Sequence, residues 1–317
     1  MDVSFIDEMK EQPAALERLV SRGRRSIQRA AAGLQAVDRP ILFLGMGSSY
    51  FAGLYGAWLL NQAGLPAMAL EASMALHDHA ALLSASSRLV LISQSGESPE
   101  VVELSEAVEP SRVIAITNAA ESPLARHYPS NVLLLEAGPE EATTSKTYTN
   151  TLALLAMLGG VDAERLAPVP ETIQRWLERT EEFPRAPQEL TLIGRGPSLT
   201  SALQGALILR EGAAVTATGF SGGGFRHGPM QWAENRDVLF FLGHEPYRAL
   251  QNKLAEELAS SNRKYTIGVE PATWSMPNLE PALVPIVEIA VIERMMVQWA
   301  LEKGLKPGKL LHKVSRE

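Results

Sequence analysis

The chain contains no cysteine. That excludes disulfides, thiolate nucleophiles and cysteine-type zinc sites, and it makes a cytoplasmic protein the natural expectation. No apolar run approaches the roughly 20 residues of a membrane-spanning helix. The first residues, Met1 to Asp7, are acidic and lack the apolar core of a secretion signal. No membrane association is expected. Long Lys/Arg clusters are also missing and the net charge is −7, so nucleic acid is not an expected partner. His77-Asp78-His79 has a metal-like look, but the stretch reads as helix, where positions i and i+2 diverge. No third and fourth ligand group is evident, so no metal is expected. What is present is ordinary for a globular protein: 46% hydrophobic and 21% charged residues over 317 positions, a length that suggests two domains.

One stretch organises the rest: Ser93-Gln94-Ser95-Gly96-Glu97-Ser98-Pro99-Glu100. The apolar run Arg88 to Ile92 leads into it and the helical pattern from Val101 leads out. This predicts a buried strand, a hydroxyl-rich turn and a helix N-terminus. Ser98 suits the N-cap, Pro99 the first helical position, and Glu100 the positive end of the dipole. Free N–H groups there attract an anion, and the serines and Gln94 add neutral donors. On this loop alone, a capped turn with spare hydroxyls and a phosphate cradle are both open.

The order of elements narrows the choice. Residues 1–37 read as a helical segment, with Pro13 starting a helix. Pro40 to Leu44 reads as a buried strand meeting Gly45-Met46-Gly47-Ser48-Ser49 and a helix from Tyr50 to Gln62. Leu65 to Leu70 reads as a strand, Ala72 to Leu83 as one helix, then Arg88 to Ile92, Val113 to Ile116 and Val132 to Leu135 as strands. A helix from about Thr147 to Leu158 follows. Alternation of apolar strands with helices predicts a parallel sheet covered on both faces. Ligands of such sheets sit at the carboxyl ends of the strands, where both serine-rich turns fall. Two hydroxyl-rich strand ends on one rim favour the phosphate reading. The Gly45-x-Gly47 turn lacks the third glycine of a dinucleotide fingerprint, Tyr50 standing there. Glu71 could mimic a ribose-binding acid, but no nicotinamide or other cofactor is expected.

The pattern then returns. Ile41-Leu42-Phe43-Leu44-Gly45-Met46-Gly47-Ser48-Ser49 aligns with Leu190-Thr191-Leu192-Ile193-Gly194-Arg195-Gly196-Pro197-Ser198, and Leu54, Gly56, Ala57 and Leu60 with Leu203, Gly205, Ala206 and Leu209, at an offset of 149 residues. An internal duplication follows. The expected organisation is a helical segment 1–37, a first α/β domain 38–160, a linker helix within 161–188 (Glu171 to Glu182), a second α/β domain 189–304, and a tail 305–317. The second domain's later strands are expected at Val238 to Leu242, Tyr265 to Val269 and Leu283 to Ile286, with a last helix Ile289 to Glu302. Pro197 replaces Ser48 in the second copy, so one rim is expected to bind ligand better than the other.

Two further positions stand out. Glu211 lies at the end of the helix beginning near Pro197, where its charge opposes the dipole. It is either a solvated helix-end residue or a general base buried among apolar neighbours. His227 is displayed after a glycine run in Ser221-Gly222-Gly223-Gly224-Phe225-Arg226-His227-Gly228-Pro229. It is either structural or catalytic. Lys146, in Thr143-Thr144-Ser145-Lys146, either caps a ligand or lies at the surface.

With these residues in view, the chain resembles the tandem sugar-isomerase (SIS) domain family, which includes the isomerase half of glutamine–fructose-6-phosphate aminotransferase and stand-alone sugar-phosphate deaminases and isomerases. Glu11-Gln12-Pro13, Gly47-Ser48-Ser49, Ser93-Gln94-Ser95-Gly96-Glu97-Ser98, Thr144-Ser145-Lys146, Gly194-Arg195-Gly196, Glu211 and Phe225-Arg226-His227-Gly228-Pro229 carry the resemblance across nearly the whole chain. It implies two flavodoxin-like α/β domains, each a parallel sheet with helices on both faces. It implies that Ser49, Ser93, Gln94, Ser95 and Ser98 hold a sugar phosphate, with Gly47, Ser48 and Lys146 also at the substrate. Glu211 would shuttle a proton between C1 and C2. His227 would assist ring opening from the partner subunit of a homodimer with shared active sites. Lys313 would come from the tail as it closes, with His312 competing for that place.

The chain departs from the synthase pattern in three places. Ile208 stands where that isomerase half has a lysine, Gly224 where it has a glutamate, and Thr218 where it has a further acid. No cysteine could serve a glutaminase, so making glucosamine phosphate from glutamine is not expected of this chain alone. The implied activity is a metal-independent isomerase/deaminase converting a glucosamine 6-phosphate-like sugar to ketose phosphate and ammonia. The alternatives are a deglycase of the fructosamine-6-phosphate type, with Ile208 and the glycine run enlarging the amine side, and a regulatory protein that binds sugar phosphate without turnover.

Overall fold

Runs such as Ile41–Gly45 and Arg88–Ile92 offer no polar face to water, so they are stable as strands only in a sheet covered on both sides. The computed structural model describes residues 4–35, 40–86, 88–141 and 143–309. In it β1 (Ile41–Gly45), β2 (Ala67–Glu71), β3 (Arg88–Ile92), β4 (Val113–Thr117) and β5 (Val132–Leu134) form a sheet in the order β2-β1-β3-β4-β5. All its neighbours are parallel. A second parallel sheet contains β6 (Glu189–Gly194), β7 (Thr216–Ser221), β8 (Asp237–Gly243), β9 (Arg263–Gly268) and β10 (Trp274–Ser275), in the order β10-β9-β8-β6-β7. Read from its other edge it repeats the first: second, first, third, fourth, fifth strand. That is the flavodoxin-like order, and the sequence repeat is therefore a repeat of topology.

The described residues form two compact units. One contains those of Glu11–Glu140 and Lys146–Pro170, hence the first sheet. The other contains those from Glu171 to residue 309 with the second sheet, together with residues up to Lys10 and the segment around Thr143 to Ser145. In the first unit Leu42, Leu44, Leu89, Leu91, Val101 and Leu104 belong to one buried cluster. In the second, Ile193, Phe225, Val238, Phe240, Leu242 and Leu254 do. Among the described residues no helix is long and apolar enough to cross a membrane.

Topology fixes where each unit can bind. Between β1 and β3, and again between β6 and β8, successive crossovers leave toward opposite edges of the sheet. A crevice opens at the carboxyl ends of the strands at such a switch point. The turns after β1 and β3 are the two serine-rich stretches.

Several expected elements differ. Leu283 to Ile286 is not a strand: Val284 begins the helix Val284–Glu302, with Pro285 in its first turn. Proline is suited there, and the run is apolar all round because nearly every residue is buried. A two-residue β10 supplies the fifth strand instead. The single helix expected over Ala72 to Leu83 is two, Ala72–His77 and Ala80–Ala85. The N–H groups of Asp78 and His79 both donate to Met74 O, which ends the first helix. The linker helix runs Pro168–Glu178. The helix near Pro13 runs Gln12–Arg18 and continues through a π turn, Leu19–Gly23, into Arg24–Gln35. The tail from residue 310, with His312 and Lys313, and residues 1–3 and 36–37 of the N-terminal segment lie outside the described residues.

Candidate active site

In the first unit, β3 ends at Ile92 and the chain turns through Ser93–Ser98. Gly96 has φ +65°, and a Cβ there would lie 2.1 Å from Ser122 Oγ, so only glycine makes this turn. Its N–H donates to Ser93 O and to Ser93 Oγ, each at 3.1 Å. The Gln94 carbonyl accepts from Asn118 N at 2.9 Å and Thr117 Oγ1 at 3.1 Å, which ties the turn to the end of β4. Ser95 Oγ accepts from Glu97 N at 3.2 Å.

Ser98 occupies the N-cap position of the helix Pro99–Ala107, as its residue type suggested, but its side chain makes no capping hydrogen bond. The hydroxyl lies instead 2.9 Å from Ser93 Oγ. Pro99 has no N–H, so the first-turn N–H groups of Glu100 and Val101 have no side-chain cap. Paired hydroxyls beside an uncapped helix start offer hydrogen-bond donors to an anion.

The turn after β1 adjoins it. Gly47, at φ +50°, precedes the helix Ser48–Gln62, which begins with the half-exposed Ser48 and Ser49. A Cβ on Gly45 would lie 2.7 Å from Ser49 Cβ and 3.0 Å from Ile92 O, so the ends of β1 and β3 meet closely. The structure thus brings Gly47, Ser48, Ser49, Ser93, Gln94, Ser95 and Ser98 to two adjacent strand ends of one sheet. Lys146 is elsewhere occupied. Its side chain is 2% exposed and its Nζ lies 2.5 Å from Glu11 Oε2.

In the second unit, Glu211 sits in the last turn of the helix Ser198–Ala213. The expected burial of its carboxylate is not observed, since the residue is exposed. Its Oε2 accepts from Thr143 Oγ1 at 2.7 Å. The nearby Ile208 is fully buried in the core. His227 follows the short helix Gly222–Arg226 and is exposed, its N–H donating to Gly224 O at 3.3 Å. Nothing lies within 4 Å of a Cβ built on Gly223.

The second rim differs in chemistry from the first. Ser198 is the counterpart of Ser49 in the repeat, and its Oγ donates to Glu288 Oε1 at 2.9 Å. Ser201 Oγ donates to Glu288 Oε2 at 2.6 Å. Glu288 is 0% exposed. An internal carboxyl thus takes up the hydroxyls at the start of this helix. Burial pushes the Glu288 carboxyl up to about 7, against the opposing effect of the hydrogen bonds from Ser201 and Ser198.

A stability test follows. The unfolded group titrates near 4.5 and the folded one near 7. Between those values the native protein holds the extra proton. Stability is therefore full below about pH 4.5 and declines as pH rises through 7, by on the order of 3 kcal/mol. Glu288→Gln should flatten that part of the urea-midpoint profile between pH 5 and 8. An unchanged slope in the variant would show that Glu288 is not the group responsible.

Two contacts lay beyond a reading of the chain. Thr143 is in the Thr143-Thr144-Ser145-Lys146 stretch, but its partner is 68 residues away. Glu288 was visible as a lone acid in an apolar run, and the 149-residue repeat pointed to Ser198, but nothing linked the two.

Comparison with known proteins agrees with the topology. The solved structure of tagatose-6-phosphate ketose/aldose isomerase from Escherichia coli superposes with TM-score 0.76 at 22% identity, covering 98% of this chain and 96% of that one. Glucosamine-6-phosphate deaminase from Thermotoga maritima superposes with TM-score 0.71 at 18% identity, covering 94% of this chain and 98% of that one. At these identities the likeness shows the fold. Glutamine–fructose-6-phosphate aminotransferase [isomerizing] of Pyrococcus horikoshii is 28% identical over 340 residues, covering 96% of this chain and 56% of the relative. The chain thus spans little more than half the length of the curated relatives it matches. The SIS domain profile matches residues 36–159 and 185–269, well over half the sequence. The chain belongs to the SIS domain family.

Proposed function

We propose that this protein is a phosphosugar isomerase/deaminase that converts an amino-sugar phosphate such as glucosamine 6-phosphate to ketose phosphate and ammonia. The observation that carries the reading is the Ser93–Ser98 turn, whose N-cap hydroxyl pairs with Ser93 and leaves the helix start to an anion. Ser49, Ser93, Gln94, Ser95 and Ser98 bind the phosphate. Gly47 and Ser48 line the same rim, while Lys146 is engaged by Glu11.

Glu211 is the base. In the open-chain sugar the C2–H bond breaks and its proton passes to the Glu211 carboxylate, while O1 gains a proton, giving an enolamine. Glu211 returns its proton to C1, which leaves an imine at C2. Water then adds, and the C–N bond breaks to give the ketone and ammonia. One carboxylate on one face of the sugar suffices for both transfers. His227 protonates the ring oxygen during opening. The exposed position of His227, just after the short helix Gly222–Arg226, suits delivery into the site of a second copy in a homodimer. Lys313, in the tail, is the further group that the family resemblance brings to the sugar. Gly308 O accepts from Thr143 N at 2.9 Å, close to the base. The relatives named for isomerase and deaminase activities support this class.

An assay coupled to ammonia release, run over a panel of amino-sugar phosphates, tests the reading. Release from glucosamine 6-phosphate supports deamination. Release of an amino acid or other amine from a fructosamine 6-phosphate selects the deglycase alternative. Binding without turnover across the panel selects the regulatory one.

The phosphate assignment makes its own prediction. Ser95→Ala should raise KM about tenfold and change kcat less than about threefold, because the phosphate contact is shared by ground and transition states. Steady-state kinetics check this, and a fall in kcat with KM unchanged would remove Ser95 from the phosphate site.

A further inference from the structure

We infer that Thr143 is a positioning residue for proton transfer, its hydroxyl holding one oxygen of Glu211 so that the other faces the sugar. The inference rests on the reading of Glu211 as the base. Thr143 Oγ1 donates to Glu211 Oε2 at 2.7 Å, a short hydrogen bond to a carboxylate, which belongs to the stronger class. Glu211 is exposed and lies in the last turn of its helix, where the dipole disfavours its charge. A glutamate so placed has several rotamers open to it. The hydroxyl reduces that freedom and offsets the dipole.

Thr143 is itself fixed. It is buried, and its N–H donates to Gly308 O at 2.9 Å. On one side Glu141 N donates to Glu8 Oε1 at 2.6 Å, and on the other Ser145 Oγ donates to the buried Glu293 at 3.3 Å. The segment from Glu141 to Ser145 is flanked in sequence by residues of the other unit, yet it packs with the unit that carries Glu211. Its hydrogen bonds anchor the hydroxyl at the carboxylate. The same residue, through its N–H, also ties this segment to Gly308. Among the described residues Oε2 is the oxygen that is engaged, which assigns to Oε1 the taking and returning of the proton. An error of about 1 Å in such a group can lower a rate by roughly a hundredfold.

The test compares wild type, Thr143→Val, Thr143→Ser and Glu211→Gln on glucosamine 6-phosphate, with kcat and KM measured separately. Thr143→Val keeps the shape and removes the hydroxyl. It should lower kcat by roughly 10- to 100-fold with KM within about threefold, and Thr143→Ser should stay within about threefold of wild type in both. If Thr143→Val does not fold, as judged by circular dichroism, Thr143→Ala carries the same expectation. A hydroxyl-free variant with wild-type kcat, while Glu211→Gln is inactive, overturns the role of Thr143 alone. So does Thr143→Ser failing as badly as Thr143→Val, which would make the methyl packing decisive. A Glu211→Gln variant as active as wild type overturns the base assignment, and this inference with it.

Discussion

Glu211→Gln should retain sugar-phosphate binding while turnover falls by roughly 10²–10⁴, the range expected for loss of a general base. The substitution keeps the side chain's shape and its capacity to accept from Thr143, and removes only the site that takes the proton. Binding should survive because the residues proposed to hold the phosphate belong to the first sheet's rim, whereas Glu211 is in the last turn of the helix Ser198–Ala213. Isothermal titration with glucosamine 6-phosphate and the ammonia-release assay separate the two quantities. Loss of binding with the residual rate constant intact would make Glu211 a binding residue.

His227→Asn should lower turnover by roughly 10², since ring opening loses its acid while a fraction of the sugar opens unaided. The larger consequence appears on mixing. If each site draws Glu211 from one subunit and His227 from the other, a heterodimer of Glu211→Gln with His227→Asn has one site damaged twice and one intact. Random assembly makes half the dimers mixed, so the co-refolded sample should recover about one quarter of wild-type activity from two nearly inactive parents. The exposure of His227 beyond the glycine run is consistent with such an exchange. No recovery in a sample shown by tag capture to contain heterodimers would place both residues in one subunit's site.

Legibility followed the range of the forces involved. The strands β1, β3, β4 and β8 were readable because each is a continuous apolar run, and the repeat at 149 residues exposed the second sheet. The helix start at Ser98 was readable from Ser-Pro-Glu. The destination of the Ser98 hydroxyl was not, because Ser93 is brought to it by the turn that Gly96 permits. Leu283 to Ile286 read as strand because a short apolar run has no period of its own; Val284 to Ile286 is in fact the start of one 19-residue helix, Val284–Glu302, and length is what separates the two. The break at Asp78-His79 comes from competing hydrogen bonds to Met74 O, which no helical pattern announces.

Charge placement was the least legible. Glu211 was expected among apolar neighbours because Leu207, Ile208 and Leu209 precede it, yet its own position on the helix leaves it exposed. The buried carboxyl is Glu288, which sequence spacing did not connect to the repeat. Its two serine partners lie 90 and 87 residues away. The duplicated helix start thus meets a buried carboxyl of its own chain in one unit, while in the other it carries the half-exposed Ser48 and Ser49. That asymmetry gives physical content to the expectation that one rim binds ligand better.

The most direct measurement is deuterium incorporation at C2 of glucosamine 6-phosphate in D2O, followed by proton NMR with wild type and Glu211→Gln. The account predicts that with wild type the C2 proton leaves the sugar and reappears at C1 of the ketose product, replaced there by deuterium to the extent that Glu211 exchanges with solvent between the two transfers. It predicts no exchange with Glu211→Gln at equal occupancy of the sugar. Loss of the C2 proton from the sugar at the wild-type rate in the variant, whether by exchange or by transfer to C1, would contradict it.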